Sequence, residues 1–272
     1  MMIIQYIGSK EKITPWIMKH VPEHKIFVDV FGGSGAVILN KPKSKIEIYN
    51  DIDGNLVNLF EVIRTRKEEF KEQLRYLLYS RELFNRWRNN IEGDELERAV
   101  RFFLVMNARF SGDRDGGFST SRSKNEAEKF RSRCDRIDEV AERFKDVIIE
   151  NLHYQDVIKK YDSEDTVFYC DPPYFFEDID NVYYSERWNI DEHKYFAYIV
   201  NNVKGKVLIS YYNFKYIEKW YKGWYIDKLK VTKSSQNSLY TDGKKDEVYE
   251  ILLMNYDYTK IKPFYSCTLD KW

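Results

Sequence analysis

The sequence has few cysteines, no long hydrophobic run and no excess of charge of either sign. The three cysteines, Cys134, Cys170 and Cys267, are scattered, form no metal-ligand cluster and are typical of a protein in a reducing cytoplasm. No stretch approaches the roughly 18 consecutive apolar residues that a transmembrane helix needs. The N-terminal MMIIQYIGSKEK carries charges where a signal peptide would need a long apolar core. We therefore expect a globular cytoplasmic protein with no membrane partner.

The net charge is zero, because 44 Lys and Arg residues balance 44 Asp and Glu residues. The distribution is nevertheless uneven. Residues 98–136 contain ten Lys or Arg against five acids, and residues 204–245 contain ten Lys against three acids. Basic patches of this kind are the electrostatic footprint of nucleic-acid binding, although solvated surface faces can carry the same charges. Composition alone therefore keeps both interpretations open.

The order of apolar segments predicts an α/β fold. Two β-rich runs, 25–31 and 45–51, enclose GGSG and a helix-forming AVILNK, and this βαβ pattern implies a parallel sheet. Residues 66–145 are charged and mostly helical in pattern. Further strands are predicted at 146–151, 166–170, 206–210, 223–231 and 247–255.

This order predicts two domains without an internal repeat or a low-complexity linker. Residues 1–65 and 146–272 form the sheet domain, and residues 66–145 form a helical insertion. Within the insertion, Gly, Asp and Ser residues predict a hairpin or loop near 108–124.

The glycine-rich stretch after the first strand, FGGSG at 31–35, lacks two common nucleotide-binding fingerprints. A G-x-G-x-x-G motif begun at Gly33 would need Gly or Ala at position 38, where Ile38 stands. The chain also contains no G-x-x-x-x-G-K-[ST] segment. A dinucleotide or P-loop nucleotide site is therefore not indicated.

Asp51 ends the second predicted strand, about 20 residues beyond the glycine stretch, where an acid can accept both hydroxyls of a ribose. The two features together predict a ligand that contains a nucleoside but no pyrophosphate. The alternative for Asp51 is to cap the following helix, and Asp53 could do this instead.

The most specific pattern is FYCDPPYF at 168–175. Prolines cannot donate to a sheet ladder, so Pro172 and Pro173 should end the preceding strand. Asp171 and the carbonyl of Pro172 can accept the two hydrogens of one exocyclic NH₂ group, and the ring of Tyr174 can stack on the flat ring that bears it. A simple turn is the competing interpretation. Cys170 should point away from Asp171 by strand alternation and pack in the core.

Four segments, in this order, resemble the Dam-type DNA adenine-N6 methyltransferases, the α-group or D12 class. They are QYIGSKEKI (5–13), FVDVFGGSGAVIL (27–39), YNDIDGNLVNLF (49–60) and VFYCDPPYF (167–175). The resemblance covers nearly the whole chain. It implies a class I S-adenosylmethionine-dependent methyltransferase (Rossmann-like) sheet with an inserted, mainly helical DNA-recognition domain.

The resemblance also implies the activity and the partners. The expected enzyme is a site-specific DNA-methyltransferase (adenine-specific), EC 2.1.1.72, with S-adenosyl-L-methionine as cofactor and double-stranded DNA as partner. The restriction-modification systems in which such enzymes occur add a cognate restriction endonuclease as a candidate partner. The oligomeric state is left open.

Individual residues follow from the same resemblance. The implied catalytic residues are Asp171, Pro172 and Tyr174. The implied cofactor-binding residues are Tyr6, Lys10, Phe31, Gly32, Gly33, Gly35, Asp51, Asp156 and Asp171. Candidate DNA contacts in a basic hairpin are Arg109, Arg114, Phe118, Arg122 and Lys124. Ser119 and Ser121 stand where GATC-specific relatives usually carry Asn and Pro, so GATC recognition is not implied.

The expected mechanism starts with base flipping, because a paired adenine hides its amine from an enzyme pocket. Tyr174 would stack on the flipped base through its ring, with Tyr211 or Tyr212 as a second aromatic. Methyl transfer would then be a direct in-line displacement. Cytosine-N4 enzymes usually carry Ser at the position of Asp171, so adenine is favoured. An RNA adenine methyltransferase and a non-catalytic nucleoside-binding or DNA-binding protein of the same fold remain as alternatives.

Overall fold

A computed structural model of the chain describes residues 1–6, 8–110, 116–175, 188–231 and 248–264. Its strands form one sheet in the order β3-β2-β1-β4-β5-β7-β6. They are β1 (Ile26–Asp29), β2 (Ile46–Asn50), β3 (Ile148–Glu150), β4 (Thr166–Cys170), β5 (Lys206–Tyr212), β6 (Tyr225–Val231) and β7 (Val248–Met254). The first five strands in this order are parallel, and β7 runs antiparallel to both β5 and β6. The predicted α/β sheet is therefore confirmed.

The central strands are mostly apolar because both faces of the sheet are covered. All five residues of β4 are buried. Val167 and Tyr169 contribute to the core on one face, whereas Phe168 and Cys170 contribute to the core on the other. Cys170 is therefore a packing residue on the side predicted from strand alternation.

Helices cover both faces of the sheet. They are α1 (Thr14–Lys19), α2 (Ala36–Asn40), α3 (Gly54–Thr65), α4 (Lys67–Arg75), α5 (Arg81–Trp87), α6 (Glu95–Ala108), α7 (Glu126–Cys134), α8 (Ile137–Phe144), α9 (Tyr154–Tyr161), α10 (Ile190–Asn201) and α11 (Ile217–Trp220). Within the ranges described, none of these helices has the length and apolar content needed to cross a membrane.

Helices α4 to α8 fall within the predicted insertion and share a core with the sheet. The rings of Phe60 on α3 and Phe144 on α8 stack at 4.4 Å, next to Tyr49 of β2. The same apolar cluster continues to Phe103 on α6 and Phe130 on α7, whose ring centroids lie 5.6 Å apart. The division into two domains remains a prediction.

The predicted hairpin or loop near 108–124 begins as a short antiparallel pairing. Arg109 and Phe118 form an isolated bridge. The amide of Phe110 donates to the carbonyl of Gly117 at 2.9 Å, and that of Ser119 donates to the carbonyl of Ala108 at 2.7 Å. The segment 111–115 lies outside the described residues.

Strand order reverses between β1 and β4, and this is where open α/β sheets bind ligands, outside the carboxyl ends of the strands. Strand β2 lies on the far side of β1, and β5 lies on the far side of β4. Asp29 pairs with Tyr169 at the ends of the two central strands. The glycine-rich stretch and the DPPY segment therefore emerge side by side.

Candidate functional site

The glycine-rich loop is held against β2 by close contact. A Cβ atom on Gly32 would lie 2.2 Å from Cε2 of Tyr49, so no side chain fits there. The Tyr49 hydroxyl donates to the carbonyl of Gly33 at 2.7 Å. The ring of Tyr6 lies on the other side of the loop, 3.0 Å from the position of a Cβ on Gly33. The loop is thus fixed between two tyrosine rings.

Asp51 fixes the same loop to the end of β2. Its Oδ2 accepts a hydrogen bond from the amide of Gly33 at 2.7 Å, and its Oδ1 accepts one from the amide of Asp53 at 2.8 Å. Asp53 itself caps α3, because its side chain accepts from the amide of Asn55 at 2.9 Å. The helix-capping alternative for Asp51 is therefore wrong. Burial raises the pKa of Asp51 to about 6, although the amide hydrogen bonds oppose this shift.

A pocket opens between this loop, the end of β2, the segment before α9 and the DPPY segment. Its lining includes seven of the predicted cofactor-binding residues: Tyr6, Lys10, Phe31, Gly32, Gly33, Asp51 and Asp171. Sequence positions as distant as Tyr6 and Asp171 thus meet in one cavity.

Gly35 and Asp156, two other predicted cofactor-binding residues, do not line this pocket. Gly35 has φ +69° where α2 begins, and a Cβ on it would point at the rings of Phe60 and Phe144, so it serves core packing. Asp156 lies in the first turn of α9, where Tyr154 faces the core and Asp156 is exposed. The segment that reaches the pocket is instead 152–154.

Several residues of the pocket were not predicted from the sequence, and Asp29 and Trp188 are the two most informative of them. Asp29, at the end of β1, is buried, and neither carboxyl oxygen has a hydrogen-bond partner in the described part of the chain. Burial raises its pKa well above the usual range, and the charges of Asp171 and Asp51 add to this. An acid that ends a buried strand just before a glycine loop was the available signal. Trp188, 5.6 Å from the ring of Phe31, had no such signal.

Asp171 follows β4 directly and uses one oxygen internally. Its Oδ2 lies 2.9 Å from Nζ of Lys10, and its side chain is 19% exposed. Its Oδ1 is buried and accepts no hydrogen bond from any described residue. Burial raises the pKa of Asp171 to about 6, with Lys10 opposing the shift and Glu250 adding to it. Pro172 is buried, and Pro173 lines the pocket.

Tyr174 is tied to a residue that the sequence analysis missed. Its hydroxyl donates to Oε1 of Glu250, a buried residue of β7. Its ring is also buried, with the ring of Tyr212 edge-on at 4.8 Å and that of Tyr211 at 5.7 Å. Nζ of Lys10 lies 4.9 Å from the ring centroid of Tyr174. The sequence analysis predicted a role for the ring of Tyr174 alone, and the structure adds a partner, Glu250, for its hydroxyl.

The predicted DNA contacts divide into three groups. Arg122 and Lys124 are exposed, in the segment before α7, where the Ser121 hydroxyl oxygen accepts a hydrogen bond from the amide of Lys124 at 3.2 Å. The ring of Phe118 is partly buried in the core cluster, and the Arg109 guanidinium donates to a backbone carbonyl at 3.3 Å. The side chains of Phe118 and Arg109 therefore both make contacts within the protein. Arg114 lies outside the described residues.

Comparison with known proteins identifies the family. The model of the D12 class N6 adenine-specific DNA methyltransferases matches residues 6–235, which is most of the chain and includes both the pocket and the DPPY segment. The chain belongs to this family. The Dam-type resemblance and the methyltransferase fold inferred from the motifs are thereby confirmed.

Curated relatives of this D12-class chain agree with the assignment. The DNA adenine methylase of Salmonella typhi is 24% identical over 273 residues, covering 92% of this chain and 94% of the relative. That of Escherichia coli K12 is 24% identical over 261 residues, covering 90% and 92%. The type II methyltransferase M.MjaIII of Methanocaldococcus jannaschii is 24% identical over 289 residues, covering 93% and 98%. The predicted enzyme class, DNA adenine methylation, is confirmed.

Proposed function

We propose that this D12-class enzyme moves the methyl group of S-adenosyl-L-methionine to N6 of an adenine that is flipped out of duplex DNA. The observation that supports the proposal most strongly is how the two carboxylate oxygens of Asp171 are partnered. One oxygen is paired with Lys10, and the other is buried and accepts no hydrogen bond from a described residue, at the edge of the pocket between the glycine loop and the DPPY segment. A buried acceptor without a donor is costly unless a ligand supplies one.

The pocket fits the cofactor by charge and by hydrogen-bonding capacity. S-adenosyl-L-methionine would supply an electrophilic methyl group on a sulfonium centre, together with an ammonium group and a ribose. Asp29, Asp51 and Asp171 line the pocket with Lys10, so acidic groups outnumber basic ones. Each oxygen of Asp51 already accepts one amide hydrogen bond and retains a lone pair for a ribose hydroxyl.

Aromatic residues provide the walls for the flat parts of the ligands. Phe31 and Tyr154, with ring centroids 5.8 Å apart, line the pocket together with Trp188. Tyr6 covers the glycine loop. We assign these residues to cofactor binding, and we assign Tyr174 and Tyr212, beyond Asp171, to the flipped base.

The chain's own part in the reaction is to position the amine. Asp171 and the carbonyl of Pro172 accept the two hydrogens of N6. This would turn the nitrogen lone pair toward the methyl donor. As the N–CH₃ bond formed, the S–CH₃ bond of the donor would break and its sulfur would leave as a neutral thioether. The methylated nitrogen would then lose one proton, for which the Asp171 carboxylate is the proposed acceptor. Positioning of two reactants can lower a barrier by about 7–11 kcal/mol in favourable systems. The carboxylate form of Asp171 is required, because a protonated acid would lose acceptor capacity.

DNA is proposed to bind across the face that presents Arg122 and Lys124, which are exposed and placed for phosphate contacts. Arg109 and Phe118 are proposed to support this segment from inside, given their internal contacts. We place the enzyme in the cytoplasm, together with its DNA substrate, and retain a restriction endonuclease as a candidate partner on the strength of the type II relative.

The decisive experiment compares Asp171→Ala with Asp165→Ala. Asp165 is exposed and lies just before β4, so the two variants remove a carboxylate from opposite ends of the same strand. Labelled methyl transfer to duplex DNA and to RNA is measured, and the product is digested to nucleosides. We expect N6-methyl-2′-deoxyadenosine from DNA and no N6-methyladenosine from RNA, loss of the product with Asp171→Ala, and full activity with Asp165→Ala. Near-full activity of Asp171→Ala would overturn the site.

The aromatic assignment has its own test. Tyr174→Ala should reduce methyl transfer more than Tyr174→Phe, because Phe retains the ring that stacks on the base. Equal losses in the two variants would mean that the hydroxyl accounts for the whole contribution of Tyr174.

A further inference from the structure

We propose that Glu250 is a positioning residue for methyl transfer, holding Tyr174 by its hydroxyl and sharing Lys10 with Asp171 so that one oxygen of Asp171 stays available to the adenine amine. This inference rests on the proposed function and names a further residue of the same site. Glu250 lies 79 residues beyond Asp171 along the chain (250 − 171), outside every motif identified in the sequence.

The sheet topology brings Glu250 to the site. Strand β7 pairs antiparallel with β5, and Glu250 lies opposite Tyr212 at the end of β5. Since β5 is parallel to β4, its end lies beside the DPPY segment. The Glu250 side chain is 6% exposed, and it faces the ammonium of Lys10 and the hydroxyl of Tyr174. A buried carboxylate with these partners is unusual in a strand that is otherwise apolar.

The geometry around Lys10 explains why one Asp171 oxygen has no partner. A lysine ammonium has three hydrogens. Nζ of Lys10 lies near acceptors from three described residues: the carbonyl of Gly8 at 2.9 Å, Oδ2 of Asp171 at 2.9 Å and Oε1 of Glu250 at 3.4 Å. Glu250 therefore holds the ammonium to one side of Asp171. Without it, Lys10 could turn to bind both oxygens of Asp171 and compete with the amine.

Glu250 also fixes the Tyr174 ring. The hydroxyl of Tyr174 donates to the same oxygen, Oε1, that faces Lys10. The ring is thus held by its hydroxyl and by two neighbours: the ring of Tyr212, nearly perpendicular to it, and Nζ of Lys10, which lies over it. A ring that stacks on an incoming base needs a defined orientation, and this contact supplies it.

The charge of Glu250 allows a second measurement, the pKa of Asp171, which a purely structural role of Glu250 would not affect. Among the described residues, Asp171 interacts electrostatically with one cation, Lys10, and with the acidic or neutral groups of Glu250, Asp29, Tyr169, Cys170, Tyr174 and Tyr211. Burial is the largest cause of the raised pKa of Asp171, Lys10 opposes it, and the negative charge of Glu250 adds to it. Neutralising Glu250 should therefore lower the pKa of Asp171.

The test compares wild type, Glu250→Gln, Tyr174→Phe and the double variant in single-turnover methyl transfer to adenine-containing duplex DNA. We expect each single variant to lose about 10- to 100-fold in rate, a typical cost of misplaced reacting groups. Because both delete the same contact, the double variant should be about as slow as the slower single variant. Multiplicative losses in the double variant would overturn the proposal.

The pH dependence of kcat/KM provides the second readout. The acidic limb should lie near pH 6 in wild type, where Asp171 titrates, and should move to lower pH in Glu250→Gln. Glu47→Gln is the matched control, since Glu47 is also buried and ion-paired in this sheet but contacts Lys41 and Arg143. Its acidic limb should stay in place. An unmoved limb in Glu250→Gln would contradict the role of Glu250.

The outcomes separate this inference from the proposed function. If Asp171→Ala retains activity, the proposed site itself fails. If Asp171→Ala is inactive while Glu250→Gln and Tyr174→Phe match wild type in rate and pH profile, only the role of Glu250 fails. If Glu250→Gln does not fold, as judged by circular dichroism, Tyr174→Phe decides, because it removes the contact without changing a charge.

Discussion

Replacing Asp171 with asparagine should stabilise the protein at alkaline pH while it abolishes methyl transfer. The reason is the raised pKa of Asp171, about 6 against an ordinary 3.8, which shows that the folded surroundings disfavour the charged form. Burial outweighs the attraction of Lys10, and Glu250 adds repulsion. An amide has nearly the same shape and no charge.

The size of the expected stabilisation follows from the difference between the pKa of Asp171 in the folded protein and its ordinary value. A shift of about two units corresponds to about 3 kcal/mol, by which the ionised Asp171 reduces the free energy of unfolding well above pH 6. The asparagine NH₂ group would lie near the position of Oδ1, where no described residue offers an acceptor, at a cost of about 1 kcal/mol. The net gain is about 2 kcal/mol, or a rise in Tm of about 4 °C for a chain of this length.

The sign depends on pH. A group whose folded pKa is raised binds its proton more readily in the folded state, so the penalty is present above pH 6 and disappears as the pH falls toward 3.8. The Tm difference between Asp171→Asn and wild type should therefore be positive at pH 8 and vanish or reverse near pH 4.

Thermal unfolding followed by circular dichroism at both pH values is the assay, combined with methyl transfer to duplex DNA. Glu47→Gln is the matched control of opposite sign. Burial opposes ionisation of Glu47, but Arg143 and Lys41 outweigh it and lower its pKa, so removing this charge should destabilise the protein at pH 8. A lower Tm for Asp171→Asn at pH 8 would refute the reasoning, because it would mean that Lys10 stabilises the ionised form overall.

Three further predictions concern ligand binding. Gly32→Ala should abolish binding of S-adenosyl-L-methionine in calorimetry, because its Cβ would lie 2.2 Å from the Tyr49 ring and displace the loop; retained affinity would contradict this. Asp51→Asn should weaken cofactor binding in the same assay, through loss of charge toward the ribose and of the loop contact; unchanged affinity would exclude Asp51 from the site. Arg122→Ala combined with Lys124→Ala should reduce the slope of log K for DNA against log salt by about 2 in fluorescence anisotropy; an unchanged slope would place DNA elsewhere.

Some residues could be identified from sequence because their role is encoded locally. The prolines after β4 end the strand whatever surrounds it, and they place Asp171 at the strand end. Gly32, in the loop after β1, has no room for a side chain because it packs on Tyr49 of the neighbouring strand β2, and the glycine in the sequence signals this. The alternation of side chains along β4 was enough to predict that Cys170 packs on the face of the sheet opposite to Tyr169.

Other positions depended on contacts between distant segments. Asp51 and Asp53 are both acids before one helix, and the hydrogen bonds alone show that Asp53 is the cap. Gly35 lies in the same loop as Gly32, yet it faces the core. Phe118 lies among basic residues, and only packing shows that its ring belongs to the core cluster.

The sequence by itself determined the class of protein and placed Asp171, the proposed catalytic acid, at the end of β4, because strand ends, prolines and glycines act through local backbone geometry. Only the tertiary structure decided the surroundings of that acid. Pairing of β7 with β5 brings Glu250 to Lys10 and Tyr174, and burial raises the pKa of Asp171. Strand pairing and desolvation depend on residues far apart in the chain, so no local pattern encodes them.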